Sequence, residues 1–165
     1  MKYLRLLNRF FFKIEHILLV LFLGGMVLLA FLQVVLRNFF GTGILWADTI
    51  VRHLVLWSGF VGAALATGEE RHISIDALTK FLSERTRHIV FIFTSAFAAI
   101  VCYYLARAGW TYMLEERTNG GELVLGIQTW VALSIIPVGY ILVGFHFAIK
   151  VLENAIASFQ KKEAR

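Results

Sequence analysis

Asp48 and Arg52 lie four residues apart, with the acid on the N-terminal side. On a helix that order favours an ion pair and suits the helix dipole. Gln33 and Arg37 share the spacing, and Trp46 stands just before the acid. An ionisable group in an apolar segment is costly and needs a reason. A polar cluster of Gln33, Arg37, Trp46, Asp48 and Arg52 has two structural reasons open to it: a knot between two helices, or an interface for another subunit. A substrate or ion site is the chemical alternative, and the structural role is the expected one. Just beyond, Ser58, Gly62 and Ala66 recur at i, i+4, i+8, with Gly59 and Ala63 beside them. Small residues let helix backbones approach closely, so this helix should pack against its neighbours or another subunit.

Other chemistry is thin. His16 and His146 fall at similar depth near one end of their segments, which raises the alternative of a haem-binding membrane anchor subunit of an electron-transfer complex. His53 has no partner at its depth, and His72 and His88 sit in a connection. One edge pair is a weak haem site, so no cofactor is expected. Asp48 is the lone Asp in an apolar segment, and Ser58 lacks a Gly-x-Ser-x-Gly setting. No phosphate-binding glycine loop, CxxC or HExxH occurs. Neither an enzyme nor a metal site is expected. The single Cys102 excludes an intrachain disulfide framework.

The elements that position these residues follow from composition. The chain has 165 residues, 59% hydrophobic and 16% charged. Ordinary soluble proteins run at roughly 45–50% and about 25%. Charge-free runs cover 17–36, 89–106 and 123–149. About 20 mainly apolar residues cross a bilayer. A fourth run, 44–67, carries Asp48, Arg52 and His53 near its start, where they can reach headgroups. The reading is an all-α polytopic membrane protein, one domain over 1–165, with spans at about 14–37, 46–68, 86–112 and 128–150. All four must be helical, because lipid offers no partner for open backbone groups. The first apolar run is too long for a secretory signal and lacks a small-x-small site, so it should stay as a span.

Connections sharpen the layout. Lys2, Arg5, Arg9 and Lys13 share a helical face, which suggests a basic interfacial helix leading into the first span. Ile75, Leu78, Phe81 and Leu82 suggest a second interfacial helix over about 75–82, with Ser83 capping the next helix. Asn119-Gly120-Gly121 should end the third helix, and Pro137 should kink the fourth. Twelve of the sixteen Lys and Arg fall in the two terminal segments and the middle connection. That asymmetry puts both termini in the cytoplasm. The acids divide so that the whole net charge of +5 lies on that side. The charge then reads as orientation and inner-leaflet anchoring to the phospholipid bilayer, not as nucleic-acid binding.

The stretch 33–76 resembles the DctQ-like small membrane subunit of tripartite ATP-independent periplasmic (TRAP) transporters. The resembling residues are Gln33, Arg37, Asn38, Trp46, Asp48, Arg52 and Trp57. They continue through Gly62-Ala63-Ala64 and Ala66 to His72-Ile73-Ser74-Ile75-Asp76. Thr49 and Gln128 stand where the family often has an acid and a proline. The resemblance implies a bacterial inner-membrane system of three parts. A periplasmic substrate-binding protein delivers an organic acid, a carboxylate or sugar acid. A large membrane (M) subunit carries it inward on an ion gradient. The small subunit is non-catalytic and scaffolds the large one. Arg37, at the outer end, is then a candidate contact for the periplasmic protein.

Overall fold

A computed structural model describes residues 2–68 and 84–163. The interfacial helix expected at 75–82 and the Ser83 cap lie outside the described residues. The helices are α1 (Lys2–Phe40), α2 (Ala47–Gly68), α3 (Glu84–Asn119), α4 (Thr129–Leu133) and α5 (Ile135–Glu163). A two-stranded hairpin, β1 (Glu122–Val124) and β2 (Ile127–Gln128), joins α3 to α4. Among the described residues, four segments are long and apolar enough to cross a membrane: Phe10–Phe40, Ala47–Gly68, Val90–Asn119 and Thr129–Leu152. The last combines α4 and the first part of α5. The basic N-terminal stretch is continuous with the first of these, since α1 runs unbroken from Lys2.

Local chemistry explains where the helices stop. Gly41 and Gly120, at φ +61° and +68°, take the left-handed conformation that ends α1 and α3. The break between α4 and α5 falls at Ser134, three residues before Pro137. Proline has no N–H and its ring crowds the preceding turn, so the ladder opens just upstream. Among the groups at that break, the carbonyl of Ala132 accepts a 2.9 Å hydrogen bond from Nε1 of Trp57 on α2. An indole thus satisfies backbone that lipid could not. The hairpin has no counterpart in the helical reading of the sequence. Its turn holds Leu125 and Gly126 at φ +54° and +78°, the positive pair typical of a tight two-residue hairpin. Glu122 Oε1 accepts the Gly126 N–H at 2.9 Å.

The described helices pack as a row: α1 on α2, α2 on α5, and α5 on α3. Close approach along α3 and α5 depends on Gly109. A methyl there would lie 3.0 Å from Ile136 Cγ2 and 3.3 Å from the Pro137 nitrogen. Gly139 similarly admits the ring of Phe60, which meets Tyr140 edge-on at 5.2 Å. The first helix contributes little to this interior. Of its described side chains, over 10–40, Glu15 alone is buried.

Candidate functional site

Gln33 sits seven residues before the end of α1 and reaches the loop that leads into α2. Its Nε2 donates to the Ile44 carbonyl at 3.2 Å, and its Oε1 accepts the Ile44 N–H at 3.0 Å. The same Ile44 carbonyl accepts the N–H of Ala47, the first residue of α2. One amide therefore clasps the start of α2 to the flank of α1. Gly43 borders the amide: a methyl there would stand in ordinary contact with it, 3.5 Å from Nε2.

The other members of the expected polar cluster do not join this clasp. Arg37, Asp48 and Arg52 are exposed, and Trp46 is half-buried. Among the described residues no ion pair within 4.0 Å links Asp48 to Arg52. The i, i+4 spacing permits that pair, but both side chains stand where nothing desolvates them, and exposed pairs gain little by closing. Asp48 remains in the first turn of α2, where the helix dipole favours an acid.

The small residues of α2 divide between two faces. Ser58 is buried, and its hydroxyl donates to the Leu54 carbonyl at 2.7 Å. Gly62 is half-buried against α1, where a methyl would meet Leu19 Cδ1 at 3.7 Å. Gly59, Ala63 and Ala66 are exposed, and among the described residues nothing beyond its own stretch of helix lies within 4 Å of where a Gly59 methyl would stand.

A buried polar pair occupies the opposite end of the row. His146 on α5 and Glu15 on α1 are 1% and 2% exposed. Nε2 of His146 lies 2.9 Å from Glu15 Oε1 and 3.2 Å from Oε2. The aromatic rings of Phe12 and Phe145 meet the imidazole edge-on. Gly68, the last residue of α2, closes the third side. A methyl there would lie 2.7 Å from Phe12 Cε2 and 3.1 Å from His146 Nδ1. Removing the pair from water is tolerable because each partner is the other's hydrogen-bond satisfaction.

Sequence reasoning missed this pair. It paired His146 with His16 as possible haem ligands, against a satisfied polar or interfacial histidine, and named no partner for it. The structure turns His16 outward to an exposed position while the adjacent Glu15 takes the Nε2 of His146. The two histidines therefore do not face a common space. The available signal was His146 itself, an ionisable group inside a charge-free run that required a partner. The two polar fasteners on α1, Glu15 and Gln33, are separated by about 27 Å of helix at ~1.5 Å per residue. Among the described residues, no group of three or more His, Cys, Asp or Glu could hold a metal ion.

Comparison with known proteins places this arrangement. Residues 26–156 match the family described as the DctQ component of tripartite ATP-independent periplasmic transporters. A protein of Haemophilus influenzae named as a TRAP transporter small permease is 36% identical over 116 residues, covering 70% of this chain and 72% of its own. The C4-dicarboxylate TRAP transporter small permease DctQ of Pseudomonas aeruginosa is 25% identical, over 90% of this chain and 87% of its own. The sialic acid TRAP transporter permease SiaT of Haemophilus influenzae is also 25% identical, across 76% of this chain but only 21% of that longer protein.

Proposed function

The chain belongs to the DctQ family of TRAP transporter small permease components, and from that premise we propose that it scaffolds a large permease subunit during ion-gradient-driven uptake of an organic acid. It is a multi-pass inner-membrane protein with four apolar helices. A periplasmic binding protein delivers the acid, and the large subunit moves it. The relatives' names support a carboxylate or sugar acid, since they specify C4-dicarboxylate and sialic acid. Both termini face the cytoplasm on this reading, in keeping with the twelve basic residues near that side. Arg37 then lies at the periplasmic end of α1, exposed and available to the binding protein.

The observation that carries the scaffold role is the open row. A protein that moves one domain against another needs a broad, stationary hold in the bilayer. Four helices set side by side present such a surface, and of the described side chains of α1, over 10–40, only Glu15 is buried in its own chain. The test is co-purification from native membranes. An affinity-tagged chain should bring down a large polytopic permease subunit, and its deletion should abolish uptake of the organic acid. Recovery of the chain alone, with uptake intact in the deletion strain, overturns the role.

A further inference from the structure

The charge-free runs of the chain are not level with one another. Contacts between neighbouring helices give their relative heights. Gly109 of α3 faces Ile136 and Pro137 of α5, and Gly144 of α5 faces Cys102 of α3. Gly139 of α5 faces Phe60 of α2, and Gly62 of α2 faces Leu19 of α1. Arg107 of α3 therefore stands near the height of Gly139, Phe60 and Leu19. On α3 that height is the outer end of the run 89–106, whereas on α1 it lies near the inner end of the run 17–36. We propose that the row crosses the bilayer obliquely, with Arg107 at the outer phospholipid headgroups and the end of α3, with its hairpin, clear of the hydrocarbon. The inference goes beyond the scaffold role and needs only that the four apolar helices cross a membrane.

Both boundaries follow one slope. Inward from the common height, the charge-free sequence continues two residues on α1 to Ile17, ten on α5 to Ile149 and eighteen on α3 to Ile89. Outward, it continues seventeen residues on α1 to Leu36 and seven on α2 to His53, beside Arg52, and stops at once on α3. The inward reach grows and the outward reach shrinks in the order of the row, α1, α2, α5, α3. The full outward difference is about 25 Å of helix. Three helix spacings make the row about 27 Å wide. That slope sets the helices about 40° from the membrane normal, at the upper end of the range for membrane helices.

An upright row fails on α3. At the depth of the α1 run, Arg107 and Glu115, both exposed, would face acyl chains that offer them no partner. Phe93 and Phe97, 74% and 63% exposed, would stand in water on the other side. The oblique row reverses both. Its outer boundary on α3 carries Tyr104 and Trp110, exposed one turn to either side of Arg107, and such aromatic side chains gather at membrane interfaces. The Arg107 stem lies along apolar surface while its guanidinium reaches the phosphates. The charges also hold the angle, since standing the row upright would draw them into hydrocarbon.

The test attaches a nitroxide to single cysteines in the full chain, assembled with its large permease subunit in nanodiscs of phosphatidylethanolamine and phosphatidylglycerol. Collisions with oxygen, which concentrates in hydrocarbon, and with a water-soluble nickel chelate report depth. The sites are Leu28→Cys on α1 and Phe97→Cys and Glu115→Cys on α3, all exposed in the wild type, while native Cys102 is buried. Leu28 and Glu115 are nearly level in the row, and Phe97 lies about 27 Å further in along α3. An oblique row gives oxygen-to-nickel ratios at Leu28 and Phe97 at least tenfold above that at Glu115. Val27→Cys and Ile100→Cys, also exposed positions, repeat the two deep readings should either first variant fail to fold. Equal ratios at Leu28 and Glu115, with Phe97 in water, overturn the proposal in favour of an upright row. A Glu115 label shielded from both reagents also overturns it, by placing the charges of α3 beneath another protein. Arg107→Leu should let α3 sink, so that the Glu115 label loses at least half of its nickel collisions, while Arg107→Lys keeps them. Unchanged collisions in Arg107→Leu overturn the place of Arg107 at the boundary.

Discussion

The imidazole of His146 on α5 and the carboxylate of Glu15 on α1 form a buried pair, with Nε2 2.9 Å from Oε1. They come from the first and last long helices of the chain, and among the described residues each is the other's hydrogen-bond partner. Removing either partner leaves the other buried without compensation. Glu15→Ala or His146→Ala should therefore cost about 3–5 kcal/mol. The double variant Glu15→Leu/His146→Phe should recover most of that loss, because an apolar pair of similar volume needs no partner. Thermal unfolding in detergent across the double-mutant cycle measures the coupling.

Gln33 offers a second fastener of different chemistry. Gln33→Leu removes a donor and an acceptor from the Ile44 backbone, and should cost about 1–3 kcal/mol. Hydrogen exchange localises the effect. The Ile44 amide should exchange faster, while amides in the middle of α5 keep their wild-type rates.

Glycine substitutions separate crowded positions from open ones. Gly68→Ala drives a methyl into Phe12 and His146, and should destabilise by about 1–3 kcal/mol. Gly24, in the middle of α1, has nothing among the described residues beyond its own stretch of helix within 4 Å of the same methyl. Gly24→Ala should be neutral or stabilising by up to about 1 kcal/mol. Equal losses from both would contradict the packing described for the end of α2.

Leu125 sits in a left-handed conformation at the hairpin tip and is 68% exposed. A branched side chain is unfavourable there by roughly 1–2 kcal/mol. Leu125→Gly or Leu125→Asn should relieve it, seen as slower exchange of the Gly126 amide that bonds to Glu122.

Asp48 has no ion-pair partner among the described residues. Asp48→Asn should leave the stability of the isolated chain within about 0.5 kcal/mol. It should nonetheless lower the yield of the complex with the large subunit, while the assembled transporter keeps its substrate preference. A normal yield with altered preference would move Asp48 from assembly to transport.

The features legible in the sequence are those fixed within a few residues. Apolar runs mark the candidate spans, Gly120 ends α3, and the helix opens just before Pro137. The pair of Glu15 and His146 is 131 residues apart in the chain, and no local spacing can reveal it. Glu15 also looks, in sequence, like one more charge flanking the first span. The small residues of α2 show a subtler limit. Steps of four advance about 40° beyond a full turn, so Ser58, Gly62 and Ala66 drift around the helix. Ser58 ends up buried and Ala66 exposed. Gln33 was identifiable as a structural polar residue, but its partner, the backbone of Ile44, carries no side-chain signature.

The spacing of the two fasteners on α1 sets a length. Between His16 and Gln33 the helix can offer lipid about 24 Å of uninterrupted apolar surface, a little short of the roughly 30 Å of a typical hydrocarbon core. Because one fastener reaches to α5 and the other to the loop before α2, α1 cannot slide along its neighbours to accommodate a different membrane. A thicker bilayer must thin locally around it, and a thinner one must tilt the row as a unit. One carboxylate and one amide thus fix the register of the first helix against the rest of the row.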